Sequence, residues 1–83
     1  MKVELRYFAS LREAIGVGSE TVDTAAATLG ALRNELIARG GAHAEALGRA
    51  RVVRASLNQT LSDESAVLNE GAEVGFFPPV TGG

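Results

Sequence analysis

Lys2-Val3-Glu4-Leu5-Arg6-Tyr7 alternates strictly between polar and apolar side chains, which is the period-2 pattern of a strand with one buried face. Val3, Leu5 and Tyr7 are therefore expected in the core. Phe8 follows on the polar side, beside Glu4 and Arg6, and predicts either the end of the strand or an exposed ring. Ser10-Leu11-Arg12-Glu13 fits a capping box, in which a serine hydroxyl and a glutamate carboxylate satisfy the unpaired backbone N–H groups of a helix start. A short helix is predicted to run from there to about Ile15 and stop at Gly16. Beyond the Gly16-Val17-Gly18 turn, Ser19-Glu20-Thr21-Val22-Asp23 reads as a β-prone segment returning beside the first strand as a hairpin.

Further along, Leu29, Leu32, Leu36 and Ile37 recur at i, i+3, i+7 and i+8 and make one apolar helix face. Arg33, Asn34 and Arg39 are expected on the opposite, solvent side. Gly40-Gly41 supplies the left-handed residue that commonly ends a helix, and residues 43–47 can add one more turn. Residues 52–57 read as a third strand. Asn58-Gln59-Thr60 matches a glycosylation sequon, but carries no weight without a signal peptide. Residues 62–65 and 69–71 are turn chemistry around a short apolar piece at 66–68, and residues 72–77 form the last strand. A hairpin, a main helix and then further strands predict an α+β domain. In it one main helix packs across one face of a mixed sheet, an order that fits the β-grasp topology of ubiquitin-like proteins.

Composition narrows the chemistry. Eighty-three residues make one domain that buries only ~60–65% of its unfolded surface, which leaves no room for a large internal active site. The absence of cysteine excludes a disulfide scaffold, a thiolate zinc site and a cysteine nucleophile. A single histidine, His43, makes a histidine-rich metal site unexpected. No apolar run approaches the ~20 residues of a membrane helix, and Met-Lys-Val-Glu-Leu-Arg lacks a signal peptide's apolar core, so a cytoplasmic protein is expected. Residues 1–54 hold all eight basic side chains against six acidic ones, whereas residues 55–83 hold Asp63, Glu64, Glu70 and Glu73 and nothing basic. That balance does not suit nucleic acid. Arg49, Arg51 and Arg54 form one basic cluster, read as a solvated edge, with a partner-binding patch as the alternative.

The final residues break the habits of the rest. In Phe77-Pro78-Pro79-Val80-Thr81-Gly82-Gly83 the two prolines have no N–H to give a sheet, so the last strand must stop there. Residues 1–77 are thus expected to form the folded domain and residues 78–83 a projecting arm. Six extended residues span at most ~20 Å, enough to enter a neighbouring protein's active site. Gly82 and Gly83 lack Cβ atoms, so a narrow channel can close around the backbone and a reagent can reach the Gly83 carboxylate.

The run Phe76-Phe77-Pro78-Pro79-Val80-Thr81-Gly82-Gly83 resembles the C-terminus of the small, sulfur-carrying subunits of molybdopterin synthase. Supporting matches are Phe8-Ala9-Ser10-Leu11-Arg12-Glu13, Leu57-Asn58-Gln59-Thr60 and Gly71-Ala72-Glu73-Val74. A terminal Gly-Gly is shared with ubiquitin-like proteins generally, whereas Phe-Phe-Pro-Pro-Val ahead of it is characteristic of this subunit. The resemblance implies that an E1-like adenylyltransferase uses ATP to activate Gly83, and that a sulfur-donor system converts it to a thiocarboxylate. The arm then delivers sulfur inside the synthase's large subunit for the dithiolene of molybdopterin. It implies no bound cofactor or metal and no catalytic acid or base in this chain, with Gly82 giving access to Gly83. Strand parity adds a partner surface: Val74 and Phe76 face the core, so Phe77 faces out. Together with Phe8 and Leu61 it would make an apolar patch at the root of Pro78, Pro79, Val80 and Thr81, with Arg12 as a rim contact. The alternatives sharing fold and Gly-Gly are a sulfur carrier for thiamine, thiouridine or cysteine synthesis, and a ubiquitin-like protein modifier.

Overall fold

Alternation along β1 (Lys2–Tyr7) is realised in full: Val3, Leu5 and Tyr7 are buried and Lys2, Glu4 and Arg6 are exposed. The structure is a computed structural model, and it describes residues 1–79. β1 is followed by α1 (Ala9–Ile15), β2 (Ser19–Asp23), α2 (Leu29–Ala38), α3 (Gly41–Leu47), β3 (Arg54–Leu57), β4 (Thr60–Ser62) and β5 (Glu73–Phe77). The sheet order is β2-β1-β5-β3-β4. β1 and β2 form the expected antiparallel hairpin, while β5 runs parallel to β1 and antiparallel to β3. This is the mixed β-grasp sheet expected from the element order, with the last strand at its centre.

Leu29, Leu32 and Leu36 of α2 are buried against the inner face of the sheet beside Leu5, Val74 and Phe76. Each contributes about 2 kcal/mol by leaving water, which suffices to fix a ten-residue helix. The Thr28 hydroxyl caps that helix by accepting from the Ala31 N–H at 3.2 Å. Gly40, at φ 77°, ends it, and its extended ψ begins α3 at once.

Four expectations are corrected. The capping box at Ser10 does not form: α1 starts at Ala9, and its cap, Phe8, makes no side-chain bond. The reason lies in the sheet. The Phe8 N–H donates to Phe76 O at 3.1 Å, and the Phe8 carbonyl accepts from Leu11 N–H, so the helix turns from the strand end and Ser10 falls inside its first turn. β3 begins at Arg54, leaving Val52 and Val53 outside it. Ser62, read as the start of a turn, instead ends the edge strand β4, Thr60–Ser62, which the sequence reading did not assign. Asn58 and Gln59 make this possible: both have positive φ, as the tightest antiparallel hairpins require, and Asn58 Oδ1 accepts from the Glu73 N–H at 3.0 Å. Lastly, Arg33 is not on the solvent side of α2 but buried at 5% exposure. It donates to three main-chain carbonyls and to Glu64.

Candidate functional site at the root of the tail

Because β5 lies parallel to β1, Phe8 and Phe77 leave the sheet at the same edge. Their rings meet edge to face with centroids 6.5 Å apart, a favoured aromatic geometry. Phe8 is 45% exposed. Phe77, expected to be exposed, faces out but is half-buried, with the Phe8 ring packed against it. Gly75 is the seat of the pair: a Cβ there would lie 3.1 Å from the Phe8 ring and 2.6 Å from Ser56 Oγ. A glycine inside a strand often marks such a close approach, and this signal was present in the sequence but unread.

Leu61, 58% exposed, shares this outer face, since Gly75 pairs with Ser56 and Ser56 with Leu61. One strand, carrying Ser56, separates it from the two phenylalanines. Arg12 is exposed on α1 and lies along Gly18, whose Cβ would sit 3.1 Å from Arg12 Nε. Pro78 is half-buried and Pro79 exposed. Val80, Thr81, Gly82 and Gly83, the rest of the expected arm, lie outside the described residues. Of the basic cluster, Arg49 is tied to Glu64 and Asn34, whereas Arg54 pairs across the strands with Phe77 on the outer face. The described residues gather no group of three His, Asp or Glu side chains suited to a metal ion. None of the described helices is long and apolar enough to cross a membrane.

The inner side of β5 is braced by a polar cluster that the sequence did not reveal. Tyr7 stacks on Phe76 with ring centroids 6.3 Å apart, and its hydroxyl donates to Glu20 at 2.8 Å. Arg39 Nη1 and His43 Nε2 lie 3.0 and 2.8 Å from the same carboxylate. Burial, followed by the hydrogen bond to Glu20, pushes the Tyr7 phenol far up. Burial also pushes the Glu20 carboxyl upward, but hydrogen bonds from His43, Arg39 and Tyr7 outweigh it and lower it from 4.5 to about 2. The folded state thus holds this proton less tightly than the unfolded chain. The resulting stability is complete above pH 4.5 and is lost as pH falls towards 2. In denaturant titrations, Glu20→Gln is expected to flatten the acid limb of the stability profile over that interval, leaving a shallower fall from the remaining carboxylates. An unchanged acid limb would contradict the ion cluster.

Among the described residues the tail root thus offers an apolar, backbone-anchored platform where the chain leaves the sheet at Pro78. Compared with known proteins, residues 5–83 match the sequence pattern of the ThiS family. The chain belongs to the ThiS family. As a ThiS-family member, it is 40% identical over 77 residues to a curated molybdopterin synthase sulfur carrier subunit from Haemophilus influenzae, covering 93% of this chain and 94% of that one. Its fold matches a chain in the protein–protein complex of subunits 1 and 2 of molybdopterin-converting factor from Helicobacter pylori. That match has a TM-score of 0.70 and 31% identity, and covers 100% of both chains. This ThiS-family fold is also similar to small archaeal modifier protein 1 of Haloferax volcanii. There the TM-score is 0.76 and the identity 25%, covering 95% of this chain and 98% of that one.

Proposed function

We propose that this chain is the sulfur-carrying small subunit of molybdopterin synthase, acting in the cytoplasm, with residues 1–77 as platform and residues 78–83 as arm. The observation that carries the reading is the 40% identity to a curated sulfur carrier subunit of that enzyme along nearly the whole chain. It exceeds the 25% and 28% shared with two structures of the archaeal modifier. Both the complex found among the structural likenesses and the aromatic platform beside the arm support a large-subunit partner.

The chemistry follows from the end of the chain. A carboxylate is a poor electrophile. In an E1-like adenylyltransferase the Gly83 carboxylate oxygen attacks the α-phosphate of ATP, pyrophosphate leaves, and an acyl-adenylate forms. A sulfur-donor system then delivers sulfur at the oxidation level of hydrosulfide to the acyl carbon. AMP departs with the C–O bond electrons, and Gly83 holds a thiocarboxylate. Gly82, without a Cβ, lets both partners close on the backbone. Inside the large subunit the thiocarboxylate sulfur forms a C–S bond at a carbon of the cyclic pyranopterin precursor as an oxygen substituent leaves that carbon with the electrons of its C–O bond. Water then attacks the Gly83 acyl carbon, the acyl C–S bond breaks, and the carboxylate is regenerated while sulfur stays in the nascent dithiolene. Acid and base catalysis belongs to the partners; Phe8, Phe77 and Leu61, with Arg12 at the rim, hold the platform against them, and residues 78–81 carry the end inward.

Mixing the thiocarboxylated chain with purified large subunit and the pyranopterin precursor is expected to yield the dithiolene product. The carboxylate form should yield none. Product from both forms, or from neither, would contradict the reading. Phe77→Ala should weaken association with the large subunit by about 2 kcal/mol, roughly 30-fold in Kd, as removal of a central aromatic anchor does. Its thermal midpoint should stay close to the parent's. Calorimetric titration and a melting curve check both, and an unfolded variant would show Phe77 to be core.

A further inference from the structure

The outer face of the sheet is electrically divided along its strands. At its lower end Glu4 of β1 stands directly opposite Glu73 of β5. At its upper end, against the tail root, Arg6 stands opposite Gly75 and Arg54 opposite Phe77. Opposed residues on neighbouring strands share a face, so the two rings of the platform lie between two arginines, one on each flanking strand. Both arginines are exposed, and Arg6 Nε is 3.6 Å from Glu73 Oε2 at the boundary of the two zones. That pairing offsets much of the charge of Arg6, whereas Arg54 makes no ion pair among the described residues and lies four residues, about 13 Å, along the sheet from the row of Glu4 and Glu73, beyond the ~8 Å screening length at physiological salt. An approaching surface therefore feels the two zones separately.

This polarity runs against the rest of the molecule. The chain carries a net charge of −2, and residues 55–83 contain no basic side chain. At the tail root the exposed side chains of Arg6 and Arg54, with Arg12 at the rim, instead place positive charge. With them the field reverses at the platform.

Resting on the reading that this face docks the large subunit, we propose that the large subunit meets it with an apolar pocket for Phe8 and Phe77 bordered by carboxylates. Arg6 and Arg54 then steer the encounter and set its rotation, so that the arm points into the channel before the aromatic contact closes. Charged groups at an interface rim act mainly on the association rate and its salt dependence, whereas a buried aromatic anchor acts on the dissociation rate.

Stopped-flow association of the full-length chain with purified large subunit, across a salt series, separates these roles. Arg54→Glu is expected to lower the association rate about tenfold at low ionic strength, with little change in the dissociation rate and convergence on the parent at high salt. Arg54→Lys should keep most of the parent rate, because steering needs the charge and not the guanidinium fork. Phe77→Ala should instead raise the dissociation rate. An association rate insensitive to both salt and Arg54→Glu would overturn the proposal, as would a faster rate in Arg54→Glu, which would mean a basic partner surface. If Phe77→Ala left both rates unchanged, the docking reading would fail, whatever Arg54 did.

Discussion

Deleting Gly82 and Gly83 is expected to abolish sulfur transfer completely while leaving the thermal midpoint of the protein within a degree or so of the parent. Residues 1–77 are the proposed folded domain, and among the described residues every buried core side chain lies between Val3 and Phe76. The proposed reacting group, by contrast, is the carboxylate of Gly83, and a chain without cysteine has no thiol to hold transferable sulfur in its place. The deletion also leaves Thr81 as the terminus, a β-branched residue whose Cβ substituents crowd the approach to its own carboxylate. Activation and transfer should therefore both fail, and adding more ATP or sulfur donor should restore neither. Association with the large subunit should survive in part, because Phe8 and Phe77 remain in contact. Dithiolene formation by the truncated chain at more than background would refute the assignment of the reaction to the chain end.

Arg33→Met is expected to cost about 3 kcal/mol, which for a domain of this size lowers the midpoint by about 15 °C. The guanidinium is buried on α2, where Nε donates to Leu47 O at 2.8 Å and Nη2 to Gly48 O and Arg51 O at 3.0 and 3.1 Å. Nη1 reaches Glu64 at 2.9 Å. One planar fork thus closes the end of α3, the segment leading to β3 and the turn after β4 onto the main helix. Methionine fills much of the volume but leaves three carbonyls without that donor, and a buried polar group left unpaired costs more than the hydrogen bond was worth. Lysine cannot reproduce the fork, so Arg33→Lys should recover less than half of the loss. Glu64→Gln should cost far less, since that carboxylate is 44% exposed and its pairs with Arg49 and Arg33 are screened by solvent. Chemical denaturation of the three variants checks the order. A loss below about 1 kcal/mol for Arg33→Met would show that the network is ornamental.

These two sites mark what was legible in the sequence and what was not. β1, the hairpin, the buried face of α2 and the central β5 could be read because each rests on a period that one face of a sheet or helix imposes locally. The outward parity of Phe8 and Phe77 was readable for the same reason. Arg33 was misread because its helical position alone gives it to solvent, whereas its partners Leu47, Gly48 and Arg51 arrive from segments that no local pattern places beside it. The Glu20 cluster was invisible on the same ground, joining β1, β2, α3 and Arg39 through side chains far apart in sequence. At Ser10 a local signal was present and lost, because the sheet bond from Phe8 to Phe76 set the start of α1. The half-burial of Phe77 depends on its neighbour across the sheet, and strand parity contains no such information.

The central claim is that Gly83 carries sulfur, and intact mass spectrometry of the full-length chain tests it most directly. After incubation with the E1-like adenylyltransferase, ATP and a sulfur source, the predicted result is a mass gain equal to exchange of one oxygen for sulfur. Fragmentation should place that exchange at Gly83, and it should disappear when ATP is left out. Adducts joining the chain to lysine side chains in place of that exchange, or an unchanged mass with an activator that works on its own carrier, would contradict it.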